Sequence, residues 1–278
     1  MAITTRTKLI IPQAFLYLLL LLGNEPAEAQ FYVAKTGYDT HPCTSWLAPC
    51  QTINGAVAKV PGGSLGVDIS VGAGTYNETV NLFYFRAARI RGNCNNLSAV
   101  QITTSGIGII AQDHAIGIIQ CLTISALAEG ATGIASRQWS IVDADRIRFS
   151  GFPKGGYFSA FEASKLSCVW GPNGEPIVLT GSGASTFGAA SGGSHLYLNC
   201  PVSFEGETGQ TYSYFVQCME LSVCKTNNLS WAGLSITGKQ FLCDNSEFTL
   251  PNGWAPDGYF RSIPGTDFDN PDSRCRLR

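Results

Sequence analysis

A short triplet of one apolar, one polar and one apolar residue recurs along the chain. Its outer residues would point to one side and its middle residue to the other, which is the two-residue period of a β-strand with one buried face. Successive triplets begin 19 to 36 residues apart, so the pattern predicts an all-β solenoid in which strands of successive coils stack on one another. The triplets are Leu122-Thr123-Ile124, Ile147-Arg148-Phe149, Leu166-Ser167-Cys168, Val202-Ser203-Phe204, Leu221-Ser222-Val223 and Phe248-Thr249-Leu250.

The segment 52–92 carries the most specific pattern. It combines a short helix with Ile53, Ala56 and Val57 at helical spacing, a buried strand, and a Gly-Thr-Tyr corner at 74–76. This segment resembles the start of proteins in the pectin-lyase-like superfamily, and a strand at 31–33 precedes it as in many of them. The resemblance implies a single-stranded right-handed parallel β-helix with an N-terminal capping helix.

The chain is expected to contain one folded domain after a removable leader. Residues 1–29 combine an early Arg6 and Lys8, an apolar run and an Ala-Glu-Ala motif before Gln30, which predicts a signal peptide. The apolar run is shorter than the roughly 20 residues of a membrane span. Residues 30–278 are expected to form the β-helix, with 30–66 as the first strand and cap and 251–278 as the C-terminal cap. We therefore expect a secreted, periplasmic or cell-surface protein without a stable membrane span.

All ten cysteines follow the expected cleavage site. An even number of cysteines in an exported chain favours disulfide bonds in an oxidising compartment. Metal binding is less favoured, because the chain has no C-x-x-C pair and three histidines. Cys43 and Cys50 flank the turn before the helix and are expected to pair. Stacking of the triplets would also bring Cys200 near Cys218, which is the second expected pair.

Charged residues make up 14% of the chain, and they are crowded between Asp143 and Lys165. When the triplets are aligned, Arg146, Arg148 and Lys165 fall on two neighbouring coils and would share one patch. One interpretation is a solvated face of ion pairs, which contribute little. The other is a binding site for an acidic sugar, whose carboxylate would accept charge-assisted hydrogen bonds from these cations. The net charge of −2 gives no indication of nucleic acid binding.

The same alignment stacks Asp143 on Glu162, and two carboxylates one strand apart could hold a calcium ion. If the site is catalytic, the resemblance implies β-elimination, with the metal acidifying the carbon beside the sugar carboxylate. Lys165 is then the easier base, since the arginine pKa lies above 12. Arg146 and Arg148 remain candidates because lyases of the superfamily use arginine. Glycoside hydrolysis by paired carboxylates is a less favoured alternative.

Several features count against a standard pectin-active enzyme. The sequence lacks the Gln-Asp-Thr-Leu stretch of methylesterases, the Asn-Thr-Asp set of polygalacturonases and the Arg-x-Pro-x-x-Arg pattern of lyases. Aromatic side chains at coil corners offer a route to sugar binding without catalysis, although many would instead fill the core or cover its loops. The aromatic candidates are Trp139, Trp170, Trp231, Tyr157, Tyr212 and Tyr214, with Trp170 assigned to substrate binding beside the cations.

The sequence therefore predicts an exported β-helix that binds a polysaccharide, with an acidic polymer as the favoured ligand and lyase-type cleavage as an open question. Calcium is the one cofactor that this hypothesis involves. The alternative from another class is a structural or adhesive surface protein that binds no sugar. The sequence indicates no oligomeric state.

Overall fold

The computed structural model describes residues 29–64, 66–152, 154–169, 176–180, 186–205, 210–226, 230–232, 236–249, 267–269 and 276–277. Within these ranges the strands pair in parallel and form a 15-stranded and an 8-stranded sheet. The parallel pairing of each strand with one from the following coil defines a β-solenoid, so the expected all-β parallel architecture is confirmed. None of the helices within these ranges has the length and hydropathy needed to cross a membrane.

The strands form three columns, here called faces A, B and C. Face A contains β1 (Gln30–Val33), β2 (Val67–Val71), β5 (Ala87–Arg91), the first halves of β8 (Ile116–Ala126) and β10 (Ile141–Ser150), β12 (Lys165–Val169), β15 (His195–Asn199), β18 (Val223–Thr226), β21 (Glu247–Thr249) and β23 (Arg276–Leu277). Face B contains β3 (Gly74–Asn77), β6 (Val100–Thr104), the second halves of β8 and β10, β13 (Ile177–Thr180), β16 (Pro201–Glu205) and β19 (Ser230–Ala232). Face C contains β4 (Val80–Leu82), β7 (Ile107–Ala111), β9 (Thr132–Ser136), β11 (Gly156–Ala160), β14 (Thr186–Ala190), β17 (Gln210–Met219), β20 (Ile236–Asp244) and β22 (Asp267–Asp269).

Single residues in the left-handed region allow one strand to serve two faces. Cys121 in β8 has a φ of 61° and Arg146 in β10 has a φ of 52°. Such a residue redirects the chain without a loop, because the strand resumes on either side of it. Faces A and B are therefore joined by a sharp corner in these two coils.

The interior is filled by apolar side chains that stack from coil to coil. On face C, Phe158, Phe187 and Phe215 occupy successive strands and are fully buried. The rings of Phe158 and Phe187 are 5.5 Å apart, and those of Phe187 and Phe215 are 4.8 Å apart. Because each coil repeats the same inward positions, the core is continuous along the solenoid.

The helix α1 (Ile53–Val57) lies at the predicted place and buries Ile53, Ala56 and Val57 against β1, β2 and β4. The Thr52 hydroxyl accepts a hydrogen bond from the Gly55 N–H, which is the geometry of a helix N-cap. The Glu78 carboxylate accepts two further hydrogen bonds, from the N–H groups of Ile53 at 2.9 Å and Asn54 at 3.0 Å. The first turn of the helix is thereby tied to the loop after β3.

Disulfide bonds join Cys43 to Cys50, as expected, and Cys94 to Cys121. The expected bond between Cys200 and Cys218 is wrong, because Cys200 pairs with Cys168. Cys200 ends face A at its corner with face B, whereas Cys218 lies in β17 on face C, beside Cys243 of the next coil. Cys218 and Cys224 are buried free thiols.

Candidate functional site

The turns that join face C to face A form a continuous stack, which we call the turn ladder. Each turn contributes two residues in the left-handed region: Tyr84–Phe85, Asp113–His114, Gln138–Trp139, Glu162–Ala163, Gly192–Gly193 and Glu220–Leu221. The N–H of the second residue donates to the carbonyl of the first residue in the following turn, from Phe85 to Asp113 and from His114 to Gln138, for example. The turns therefore repeat at the spacing of the strands.

Buried serines line the inner side of the turn ladder. Ser140, Ser164, Ser194, Ser222 and Ser246 each come directly before a strand of face A. The Oγ of Ser194 accepts a hydrogen bond of 3.2 Å from the Ser164 N–H, and the Oγ of Ser222 accepts one of 3.1 Å from the Ser194 N–H. These hydroxyls satisfy backbone donors that would otherwise be buried without partners. The turn conformation is thus fixed from inside the solenoid.

Large aromatic side chains project outward from the first turns of the ladder. Tyr84, Phe85 and Trp139 are 63%, 62% and 65% exposed. The Phe85 and His114 rings are stacked, with centroids 4.8 Å and planes 15° apart. Trp139 occupies the next turn after His114 at the same position. Three rings therefore follow one another along one exposed edge of the solenoid.

Polar groups accompany these rings. The first positions of the neighbouring turns carry Asp113, Gln138 and Glu162, of which Gln138 and Glu162 are exposed. The carboxylates can accept hydrogen bonds from hydroxyl groups, and the Gln138 amide can both accept and donate them. The edge thus combines exposed aromatic side chains with hydrogen-bonding side chains.

An open cavity of about 430 Å³ adjoins the first turn of the ladder. Among its lining residues, the Asn54 amide oxygen accepts a hydrogen bond of 2.9 Å from the Asn81 N–H, and the Arg86 guanidinium lies 4.9 Å from the Phe83 ring centroid. Aromatic and amide groups meeting in a cleft are typical of small-molecule and sugar sites. The lining residues are Asn54, Val57, Ala58, Asn81, Phe83, Tyr84 and Gln112.

The three predicted cations do not share a patch. Lys165 pairs with Ile141 at the start of face A, five residues and about 17 Å of strand before Arg146. Arg148 lies on face B and forms a 2.7 Å salt bridge with Glu205, while the Nε of Arg146 is 3.3 Å from the Asp145 carboxylate. The predicted patch is wrong because the triplet around Arg148 belongs to face B and the one after Lys165 to face A.

Asp143 and Glu162 are also separated. Asp143 pairs with Ser167 on face A, and the Ser167 hydroxyl donates a hydrogen bond to its carboxylate. Glu162 lies in the turn ladder, where its carbonyl accepts a 3.3 Å hydrogen bond from the Trp139 N–H. The stacking on which the calcium hypothesis depended is therefore wrong. Nowhere in the described ranges do three His, Cys, Asp or Glu side chains converge as metal ligands would.

The aromatic candidates have different environments. Trp139 is exposed on the turn ladder, whereas Tyr157 is buried in the core. Trp170 lies outside the described residues, as do the side chains of Trp231, Tyr212 and Tyr214.

Sequence reasoning missed the turn ladder as a unit, although a signal for it exists. A serine ends each turn at 140, 164, 194, 222 and 246, at intervals of 24 to 30 residues. This recurrence marks the start of every strand of face A from β10 to β21. Counting back from these serines gives exposed positions, among them Trp139 and Leu221.

Comparison with known proteins gives no relative. No protein-family model, no curated protein and no solved structure matches this chain significantly. The parallel β-solenoid, its disulfide bonds and the exposed aromatic edge are therefore the features from which a function must be argued.

Proposed function

We propose that the protein is an exported β-solenoid that binds a glycan along its turn ladder. The observation that carries this proposal is the run of Phe85, His114 and Trp139, three rings on consecutive turns of one exposed edge. The strands, and with them the turns, repeat at about 4.8 Å, a distance comparable with the length of one sugar unit in a linear polysaccharide. Each ring can thus contact a successive sugar.

The chemistry of such an edge fits a sugar surface. A pyranose presents C–H groups on its flat faces and hydroxyl groups around its rim. Exposed aromatic rings offer these C–H groups an apolar contact surface. The rim hydroxyls would meet Asp113, Gln138 and Glu162 at the first turn positions.

The energetic cost of these residues strengthens the proposal. Left-handed backbone costs non-glycine residues roughly 1 to 2 kcal/mol, and exposure of a large ring gains no burial energy. The Gly192–Gly193 turn shows that glycine fills the same two positions. Tyr84, Phe85 and Trp139 are exposed and lie outside the hydrophobic core. Residues whose backbone conformation and exposure are unfavourable for stability are expected at functional positions.

Export is the second part of the proposal. Three disulfide bonds within the described residues are typical of an oxidising compartment. The expected signal peptide covers residues 1–29, of which 1–28 lie outside the described residues. A more specific hypothesis is that this solenoid belongs to the pectin-lyase-like superfamily. Lyase chemistry has less support than binding, since Lys165, Arg146 and Arg148 are not brought together.

The deciding experiment is a binding screen of the full chain, expressed through an oxidising secretory route, against a panel of neutral and acidic polysaccharides. A Phe85→Ala/Trp139→Ala variant is screened in parallel, because both side chains are exposed and their loss should leave the fold intact. Binding to at least one polymer that the variant loses supports the proposal. Binding to none, or equal binding by both proteins, would favour the structural or adhesive alternative.

A further inference from the structure

A second cluster of side chains lies on face A, beside the turn ladder. The ammonium groups of Lys165 and Lys225 are 5.3 Å and 5.5 Å from the centroid of the Tyr197 ring. The three residues belong to β12, β15 and β18, which are consecutive strands of face A. His195 lies 3.2 Å from the Tyr197 hydroxyl through its Nδ1. One aromatic ring is thus flanked by two cations from the coils on either side.

These cations lack a carboxylate partner in the described part of the chain. The salt bridges there involve Arg89, Arg146, Arg148 and Lys154. Asp143 lies on the strand next to Lys165, two residues beyond the residue that pairs with Lys165. Glu247 likewise lies on the strand next to Lys225, two residues before the residue that pairs with Lys225. Neither acid is in a salt bridge with these lysines, and the Asp143 carboxylate accepts the Ser167 hydroxyl instead.

The cluster is accessible from the turn ladder. Lys165 and His195 are the first residues of their strands and follow the turns Glu162–Ala163 and Gly192–Gly193. These turns carry small side chains at their second position. A Cβ built on Gly193 meets no atom within 4 Å. The edge occupied by Trp139 therefore continues into the start of face A, where Lys165 and His195 lie.

We propose that Lys165, Tyr197 and Lys225 form an oxyanion-binding site for a sulfate ester or carboxylate carried by a glycan. Each ammonium group can donate charge-assisted hydrogen bonds to an anionic group on its own side of the ring. The Tyr197 ring between them holds the two ammonium groups in place through cation–π contacts. This inference rests on the proposed function, because the same glycan would run from the turn ladder onto face A.

The test compares dextran with dextran sulfate, which share a backbone and differ in charge, and adds polygalacturonate as the carboxylate source. Affinities are measured for the full chain and for Lys165→Gln, Lys225→Gln and Tyr197→Leu. Lys154→Gln is the matched control, since it removes one positive charge from an exposed lysine elsewhere. Thermal unfolding of each variant establishes that it is folded.

Lys165→Gln and Lys225→Gln should each weaken binding of the preferred anionic polymer about tenfold, which is the effect of losing one charge-assisted hydrogen bond. The control Lys154→Gln should change the affinity less than about twofold. Which of the two polymers shows this loss identifies the anion. Equal effects of all three lysine substitutions, or no binding of either polymer, would overturn the site. Trp139→Ala separates the two proposals: if it leaves glycan binding unchanged while the lysine variants weaken it, the oxyanion site stands and the turn ladder does not.

Discussion

Phe85 and His114 lie in consecutive turns with their rings stacked, 4.8 Å between centroids and 15° between planes. The centroid separation matches the spacing of stacked strands, about 4.8 Å. The ring pair therefore follows from the backbone repeat, since the same turn position in two coils places two side chains directly above one another. Trp139 extends this relationship to a third coil.

Replacement of Trp139 by alanine should weaken glycan binding about fivefold, corresponding to about 1 kcal/mol for one aromatic contact. The free energy of unfolding should stay within about 0.5 kcal/mol of the wild type, because the ring is exposed. Isothermal titration calorimetry and urea unfolding measure the two quantities. Leu221→Ala is the control, since Leu221 occupies the same turn position and is 72% exposed. An equal loss of affinity in this control would contradict the role given to the ring.

Addition of a ring should have the opposite effect. Ala163 follows Trp139 at the same turn position and already has a φ of 59°, so Ala163→Trp adds no new backbone strain. A fourth ring along the edge should raise affinity for long oligosaccharides about threefold to fivefold and leave affinity for a disaccharide unchanged. Ala163→Leu controls for added apolar area. A gain that is independent of oligosaccharide length would argue against binding along the edge.

Removal of one buried hydroxyl from the turns should destabilise the fold. Ser194→Ala leaves the buried Ser164 N–H without its acceptor, which costs about 1 to 3 kcal/mol. Ser203→Ala serves as the control, because Ser203 points outward from face B. Urea unfolding of both variants should show a lower midpoint for Ser194→Ala alone. If the two midpoints coincide, the hydroxyls are not what holds the turns.

The disulfide bonds should differ in their contribution to stability. Cys94 and Cys121 are 27 residues apart, whereas Cys43 and Cys50 are 7 apart. If loop closure in the unfolded chain dominates, replacing the first pair with serine should cost about 3 to 4 kcal/mol and replacing the second about 2 to 3 kcal/mol. Chemical denaturation of both double variants tests this order. The reverse order would show that contacts in the folded state outweigh chain entropy.

Glu78 should make stability depend on pH. Burial raises the pKa of Glu78 above its usual 4.5, although hydrogen bonds from the Asn54 and Ile53 N–H groups act in the opposite direction. The folded state therefore binds a proton more tightly than the unfolded state does. The resulting stabilisation is complete below pH 4.5 and is lost as the pH rises through the raised pKa.

Urea unfolding of the wild type and of Glu78→Gln, measured from pH 4 to pH 8, tests this dependence. The wild type should lose stability relative to the variant as the pH rises. Asp39 does not interfere in this range, since its pKa is lowered below 3.8: burial raises it, but hydrogen bonds from Thr52 and Gln51 outweigh that effect. Parallel curves for the two proteins would contradict the raised pKa.

The period-two pattern, together with the resemblance carried by segment 52–92, predicts the fold class, but the pattern does not identify the faces. Leu166 pairs with Val142 on face A, whereas Phe149 pairs with Leu179 on face B. An apolar-polar-apolar triplet looks the same on every face of a solenoid, because alternation reports only which side is buried. Alignment of the triplet at 147–149 with that at 166–168 therefore joined positions from different faces.

The positions of the corners between faces A and B could not be predicted from the sequence for a related reason. Left-handed corners usually attract glycine or asparagine, but in this chain Cys121 and Arg146 adopt that conformation. Their residue types carry no turn signal, so the sequence pattern continued through them as strand. The disulfide between Cys168 and Cys200 was missed with them, since its recognition needed the corner between faces A and B.

Because the buried serines hold each turn from the inside, the outward-facing residues of the turn can vary. Inside, Ser164, Ser194 and Ser222 hold the chain path through hydrogen bonds that are the same from coil to coil. On the outside, the two left-handed positions are occupied by residues as different as Gly192–Gly193 and Gln138–Trp139, and all four residues keep a positive φ. Shape and recognition are thereby uncoupled at each coil, and this edge can acquire a new surface chemistry, one coil at a time, without any adjustment of the interior.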